Sequence, residues 1–309
     1  MHCILIYNPA SGRRRNLRLR KVDEVAGALT AEGHRVEIAC TAGPGSAAAQ
    51  AQEAAAFADV IFACGGDGTV HEVLQGLVTE AGVPLCALGI IPMGSANALA
   101  RHLRISHNPV VAALEQLKGS PCAVTVGRVE CAGAVRYFAF IAGAGPDGAL
   151  VYRLVAQQKA QLGRLAYYLR AARLFATGRF SAFEVQFTPA ASASPVTRKV
   201  VSVMATRIGN LGGIFRGLTD GHASIQDSDL CLHLLHAPAL VSLPLWFLSG
   251  WLGLRRLNPF HQCVRVSAFS CRALSSPAPY VEADGESLGR LPMQVSLLQN
   301  ALRILVPRH

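Results

Sequence analysis

Val60–Val78 reads VIFACGGDGTVHEVLQGLV, and the order of residue types within it decides the fold. Val60–Ala63 is a short apolar run with the length and composition of a buried parallel strand. Gly65, Gly66, Asp67 and Gly68 end it. Beyond them Val70, Val73, Leu74, Leu77 and Val78 recur at i, i+3, i+4, i+7 and i+8, the apolar face of a helix beginning near Thr69. The stretch is a strand, a glycine turn and a helix. Lacking Cβ atoms, the three glycines can take positive φ and bring backbone close to a ligand, and the helix start directs unpaired N–H groups at it. That environment suits a phosphate. Asp67 is an anion where anions are favoured, so it either competes with the ligand or acts with a cation beside it. In isolation a Gly-Asp-Gly is as readily a turn former and helix cap, so other stretches have to decide.

The same unit recurs on either side. Cys3–Tyr7 is a buried strand entering Asn8-Pro9-Ala10-Ser11-Gly12, followed by a helix from about Asn16 to Glu32 with Leu17, Val22, Val25, Ala26 and Leu29 inward. Arg35–Cys40 reads as a strand and Ser46–Ala58 as an alanine-rich helix. Leu85–Ile91 is a strand ending in Pro92-Met93-Gly94-Ser95-Ala96-Asn97, from which a helix runs to about Leu103. This alternation predicts an α/β fold with a doubly wound parallel sheet, whose ligands bind at the carboxyl ends of the strands. The glycine turns after Tyr7, Ala63 and Ile91 then share one edge, which raises a ligand site above helix capping as the reading of each.

Past Pro121 the pattern changes to strands at Cys122–Val129, Tyr137–Ala142, Ala182–Phe187, Val200–Thr206, Leu230–Leu235, Cys263–Phe269 and Gln294–Leu298. One helical stretch, about Leu150–Ala176, interrupts them, and Thr188–Val196 reads as a hairpin loop. Two domains follow: residues 1–121, to which a last strand at 302–309 is able to return, and a β-rich domain at 122–301.

The chain has 309 residues, enough for a large core, and is 51% hydrophobic with 16% charged residues. Mean hydropathy is +0.32, which suggests extensive buried surface, an oligomer or contact with lipid. A net charge of +10 favours anionic partners. Nine cysteines without a C-x-x-C pair, among them Cys64, Cys86, Cys231 and Cys263 in apolar runs, read as core residues in a reducing, cytoplasmic setting. No signal peptide is evident, and Ala237–Leu254, the most apolar stretch, is interrupted by Pro238 and Pro244 and falls short of a bilayer span. It reads as a packed or membrane-surface helix and as one surface for a homodimer. Arg13, Arg14, Arg15, Arg18, Arg20 and Lys21 crowd a helix start, where positive charge is disfavoured unless something anionic meets it.

There is no G-x-x-x-x-G-K-[ST], which excludes a P-loop nucleotide hydrolase. Gly143, Gly145 and Gly148 form G-x-G-x-x-G, but the next acidic residue after that turn's own Asp147 is Glu184, far beyond the twenty-residue spacing of a dinucleotide site. The ten histidines lack ligand spacing, and His71 reads as a helix-surface residue. Nucleic-acid binding lacks an aromatic platform or a recognised module. Asp147 in its glycine turn, Asp284 and Glu286 in Asp-Gly-Glu, and Asp227 and Asp229 before a strand are the remaining acidic candidates, each alone a turn former.

Taken together, N-P-x-S-G at Asn8–Gly12, G-G-D-G-T at Gly65–Thr69 with His71-Glu72-Val73 after it, P-x-G-[ST]-x-N at Pro92–Asn97 and D-G-E at Asp284–Glu286 resemble the diacylglycerol kinase catalytic-domain family in order and spacing. That family includes bacterial lipid kinases, sphingosine kinases and ceramide kinases. The resemblance implies a nucleotide-binding domain of the NAD kinase type, a C-terminal β-sandwich with the active site between the two, and transfer of the γ-phosphoryl of ATP, with Mg²⁺, to a lipid hydroxyl. It makes Asp67 the general base or metal-organising carboxylate, joined by Asp284 and Glu286 as catalytic carboxylates near the acceptor and magnesium, with Asp284 as a second magnesium ligand. Asn8, Ser11, Gly12, Thr41, Gly65, Gly66, Gly68, Thr69, Ser95 and Asn97 would hold the nucleotide, and Asp147 and Glu72 would meet the acceptor. The family's N-D reads Asn97-Ala98 here, and its D-D-G reads Gln226-Asp227-Ser228, which weakens a structural magnesium site at Asp227. The implied partners are a nucleotide and a lipid at an anionic membrane surface, the location cytoplasmic and peripheral to the membrane. The rivals are an NAD kinase-like enzyme, whose second signature is not found here, and a catalytically silent nucleotide- or lipid-binding regulator.

Overall fold

The computed structural model describes residues 1–9, 15–80, 86–94, 96–155, 180–192, 194–209, 224–236 and 238–308. They form two compact units, Met1–Val126 with Leu298–His309, and Gly127–Leu297. The sequence reading placed the change at 121/122 and 301/302. It falls later in one case and earlier in the other because two long strands, β5 (Ser120–Cys131) and β15 (Met293–Val306), each run from one unit into the other without a break.

In the first unit the strands are β1 (His2–Tyr7), β2 (Arg35–Cys40), β3 (Val60–Gly65) and β4 (Ala87–Pro92), and the helices are α1 (Arg15–Ala31), α2 (Ser46–Ala54), α3 (Asp67–Leu77), α4 (Ala98–His102) and α5 (Pro109–Lys118). The sheet order is β4-β3-β1-β2, all parallel, and Arg303 and Ile304 of β15 extend it beside β4. After β1 the chain goes to one side for β2 and to the other for β3 and β4. The switch point therefore lies between β1 and β3, where open parallel sheets receive ligands. Every residue of β3 and β4 is buried, as expected of parallel strands covered on both faces.

The apolar positions predicted for α3 are all buried. The helix begins at Asp67 rather than near Thr69. Extended Gly66 serves as its N-cap, and the Gly66 carbonyl accepts from the N–H groups of Thr69 and Val70 at 3.0 and 3.1 Å. Helix α2 ends at Ala54, short of Ala58, and packs closely on α3: a Cβ on Gly76 would stand 2.1 Å from the Ala48 carbonyl. Val22, Val25 and Leu29 of α1 are buried, but Leu17 is exposed, one turn before the sheet-facing side begins. Beside β4, the Gln116 amide donates to Ile90 O at 2.8 Å and accepts from Ile90 N at 2.9 Å, completing the strand's hydrogen bonding past the short β15 pairing.

The second unit is built from β6 (Ala134–Phe138), β7 (Ile141–Ala144), α6 (Pro146–Val155), β8 (Phe183–Pro189), β9 (Val196–Val200), β10 (Ser202–Thr206), β11 (Leu230–Leu235), α7 (Ala239–Trp251), β12 (His261–Ala273), β13 (Tyr280–Ala283) and β14 (Glu286–Arg290), with the ends of β5 and β15. The order is β14-β13-β7-β10-β11-β12-β15, with β8 and β9 beside β12. Strand β12 pairs β11 through its first half and β15 and β8 through its second, with a bulge between Val266 and Phe269. A strand that changes partners in this way wraps the pairing around one core, whose members include Phe138, Phe183, Val203, Leu232, Phe269 and Val281. The predicted strand at 137–142 is two strands, interrupted at Ala139 and Phe140. That at 200–206 likewise divides at Val201 into β9 and β10, and the two predicted last strands are the single β15. Of the predicted helix at Leu150–Ala176, the part to Val155 belongs to α6, opened by Pro146 at its first position, and 156–176 lie outside the described residues.

Candidate functional site

The three turns lie together at the carboxyl edge of the first sheet. Register pairs Tyr7 with Cys64 and Cys40, and Gly65 with Pro92, so Asn8, Thr41, Gly66 and Met93 follow four adjacent strand ends. Thr41 N–H donates to Tyr7 O at 3.0 Å, and Met93 N–H to Gly65 O at 2.8 Å. Ser11, Gly12 and Ser95 lie outside the described residues.

The glycines of the central turn are there for reasons other than the positive φ expected: none of the three has one. A Cβ on Gly65 would stand 2.3 Å from Thr69 Oγ1, so this glycine makes room for the buried Thr69 side chain. A Cβ on Gly94 would stand 2.5 Å from Gly66 Cα, so the β3 and β4 turns touch backbone to backbone. Gly68 faces open space and is exposed.

Asp67 is half-buried at the first position of α3, and its Oδ1 accepts from the Ala98 N–H at 2.6 Å. It caps a neighbouring helix instead of its own, and so ties the β3 turn to the β4 turn. The departure from the family's N-D pattern at Ala98 thus falls where backbone supplies the contact. Asn97 is left-handed at φ 47, accepts from Gly94 N–H at 3.0 Å and donates to Gly94 O at 2.9 Å. Its amide braces the turn, which leaves one hydrogen and one lone pair of its complement. Glu72 is half-buried on the next turn of α3. His71 is buried, not on the surface, in a helix that packs against both α2 and the sheet.

In the second unit, Asp284 and Gly285 form a two-residue hairpin between β13 and β14, both at positive φ, and Glu286 is the first residue of β14. The Asp284 carboxylate accepts from the N–H groups of Ala139, Phe140 and Ile141 at 2.8, 2.9 and 3.0 Å. It holds the break between β6 and β7, and with three amides on it, it is a poor magnesium ligand. The role expected of it as metal ligand is corrected accordingly. Glu282, buried and accepting from Gly285 N–H at 2.9 Å, closes the same hairpin. Sequence reading missed it, since a carboxylate within an apolar strand gives no turn signal.

Asp147 is the second residue of α6, and neither of its carboxylate oxygens has a full hydrogen bond among the described residues. Burial pushes its carboxyl up to about 7, partly offset by the backbone amides of Gly148 and Asp147 itself. A Cβ on Gly143 would stand on its Oδ2, so this glycine gives the carboxyl its space.

Asp227, the position suggested for structural magnesium, meets guanidinium groups. Its carboxylate accepts from Arg265 at 2.8 Å and from Ser224 N–H at 3.1 Å, and Asp229 also pairs with Arg265. Buried Arg207 donates to the carbonyls of Ile225, Asp227 and Asp229 at 2.8, 3.1 and 3.2 Å. Carbonyls and carboxylates that would suit a metal ion are occupied by fixed cations, so these residues do not fit a structural magnesium. Among the described residues no three His, Cys, Asp or Glu side chains gather to hold a metal. The histidine pair missed by spacing, His233 Nδ1 and His261 Nε2 at 3.1 Å, is held neutral, since burial pushes the two down to about 3 and about 4.

Known proteins agree with this geometry. The sequence model of the diacylglycerol kinase catalytic domain matches residues 2–129. A diacylglycerol kinase of Bacillus subtilis is 27% identical over 98% of this chain and 96% of its own. The crystal structure of a diacylglycerol kinase from Bacillus anthracis superposes with a TM-score of 0.72 at 25% identity, covering 99% of this chain and 96% of that one. Yeast NADH kinase shares the fold, with a TM-score of 0.54 at 9% identity over 100% of this chain and 84% of its own. Three motifs on the carboxyl-edge turns of a parallel sheet, a fourth in the β13–β14 hairpin, and similarity along nearly the whole chain to bacterial diacylglycerol kinases have one common explanation: residues 2–129 form a domain of the diacylglycerol kinase catalytic type, in a chain built like those kinases from end to end.

Proposed function

We propose that this protein is a lipid kinase that transfers the γ-phosphoryl group of ATP, with Mg²⁺, to the hydroxyl of a diacylglycerol-type lipid. The observation that carries the reading is Asp67, set at the head of α3 among turns whose backbones touch, in a chain similar end to end to proteins named diacylglycerol kinases. Nucleotide phosphates fit this edge: the contact of Gly66 with Gly94 leaves no room for side chains, and Gly68 opens onto free space. Asn8, Thr41 and Asn97, with Ser11, Gly12 and Ser95, are the residues assigned to the nucleotide.

Magnesium is held in such sites by one or two carboxylates together with substrate phosphates, which suits a single half-buried Asp67. When bound, the ion neutralises charge on the phosphoryl group in transfer. Asp67 either takes the acceptor's proton or orders the ion, while its bond to Ala98 keeps the carboxylate oriented. Glu286, Asp147 and Glu72 are assigned to the acceptor side, and Asp284 supports them by fixing its hairpin.

The test incubates the protein with γ-labelled ATP, Mg²⁺ and diacylglycerol, ceramide or sphingosine in separate mixed micelles. Label in phosphatidate is expected, with a loss of about 10²–10⁴-fold in Asp67→Asn, the range for a positioned acid–base group. Label only in another lipid, or an Asp67→Asn variant as active as the parent, would refute the assignment.

A further inference from the structure

Helix α7 (Ala239–Trp251) is apolar on both of its sides. Its inner side, Ser242, Leu243, Trp246 and Gly250, is buried, and Trp246 packs with Val201, Met204 and Leu235. Its outer side carries Leu240, Leu245, Leu248, Trp251 and Leu252, all exposed, and Leu257 continues the patch on the following helical turn. Trp251 is 80% exposed, Leu257 75% and Leu240 64%. A surface helix ordinarily turns charged residues outward. Here no charged residue occurs from Ala237 to Leu254.

The patch is a fixed shape. Ser249 Oγ donates to Trp246 O at 3.1 Å, Leu254 N–H to Ser249 O at 2.7 Å and Asn258 Nδ2 to Ser249 Oγ at 3.4 Å, so the end of α7 and the turn after it are tied together. At 13 residues the helix is about 20 Å long, too short to cross a bilayer core of about 30 Å. Among the described residues no helix is long and apolar enough to cross a membrane.

Charge selects the occupant. No Asp or Glu lies between Asp229 and Glu282, and Arg255 and Arg256 directly follow the apolar stretch. A second copy of a chain with net charge +10 would oppose like charge to like, whereas an anionic bilayer supplies the opposite sign together with a hydrocarbon boundary. Tryptophan and leucine beside arginine is the composition that lies in a lipid interface.

We propose that the outer face of α7 and the turn Arg255–Leu257 form the surface by which this protein docks on anionic bilayers, with α7 lying in the plane of the interface. This rests on the lipid-kinase reading only in that a diacylglycerol-type acceptor resides in such a bilayer.

The chain has two tryptophans, of which Trp246 is already buried, so Trp251 reports on docking. With vesicles of phosphatidylglycerol and phosphatidylcholine, emission should shift to the blue and be quenched by brominated acyl chains. Trp251→Phe should abolish both changes. The double variant Leu248→Ser/Leu257→Ser, at exposed positions, should bind these vesicles at least tenfold more weakly while phosphorylating a water-soluble short-chain diacylglycerol as the parent does. Undiminished binding by the double variant would overturn the proposal. So would equal binding to purely zwitterionic vesicles, or a blue shift of Trp251 with protein concentration alone, which would assign the face to a second copy. Failure of the unaltered protein to phosphorylate the soluble substrate would instead refute the kinase reading, leaving vesicle binding as a separate result.

Discussion

Replacing Arg207 by methionine keeps most of the buried volume and removes three hydrogen bonds, to the carbonyls of Ile225, Asp227 and Asp229. Bonds from a charged donor contribute about 1.5–3 kcal/mol each, so the gross loss is about 5–9 kcal/mol. Two effects reduce it. The guanidinium no longer has to be desolvated, a cost visible in burial pushing its pKa down to about 10, and the half-buried loop lets some of the freed carbonyls reach water. A net loss of about 3–5 kcal/mol remains, the range for breaking a buried ionic contact from one side. Urea unfolding of the nucleotide-free protein measures it as a fall in midpoint at constant slope. Because the cation at this loop is a side chain, EDTA should leave the unfolding midpoint of the unaltered protein unchanged, and Mg²⁺ should not restore Arg207→Met. A loss below about 1 kcal/mol, or a midpoint that falls on chelation, would refute the reasoning that arginine does the work of a metal ion here.

The glycines of the nucleotide edge should separate by role. Gly94→Ala drives a Cβ into Gly66 and should both unfold the turn and abolish nucleotide binding, whereas Gly68→Ala meets nothing within 4 Å. The latter should leave stability equal or up to about 1 kcal/mol higher, while raising the KM for ATP as the methyl enters the ligand's space, read from melting and steady-state kinetics. For Asp147 the folded pKa lies near 7, above the ordinary 3.8, so its contribution to stability is complete below pH 3.8 and is lost as pH rises through 7. Asp147→Asn should therefore gain on the parent between pH 4 and 8 by at most about 4 kcal/mol, and an identical pH profile for the two would contradict the burial argument. Asp284→Asn loses an acceptor for one of its three amides while tolerating the left-handed backbone, so a cost of about 1–3 kcal/mol is expected in urea unfolding. Asp284→Ala should cost more, since it removes every acceptor.

How much was legible in the sequence follows from the range of the interactions involved. The βα units, the shared edge of their turns and the burial of Val70, Val73, Leu74 and Leu77 were readable because periodicity and glycine placement act within a dozen residues. Asp67 could be singled out for the same reason. Its bond to Ala98, thirty-one residues away, could not, and the capping role that its local context suggested belongs to a neighbouring helix. The glycine turn was located correctly but explained by handedness, when what it answers is the packing of Thr69 and Gly94 from outside the turn.

Long-range pairing decided the remainder. A strand break such as that at Ala139 and Phe140 has no local breaker residue; it exists because Asp284, over 140 positions on, offers a carboxylate to three N–H groups. His71 is buried, in a helix against which α2 packs as well as the sheet, and the spacing of apolar residues in α3 gives no sign of it. The Asp227 loop could be suspected of lacking a metal from its letters, but only the fold brings Arg207 and Arg265 onto its carbonyls and carboxylates. By itself the sequence determined the alternating strands and helices of the first unit and where a phosphate could be held, since local sterics and periodicity govern both. The tertiary structure alone decided which charges meet, because electrostatic partners are chosen by distance in space and not by separation along the chain.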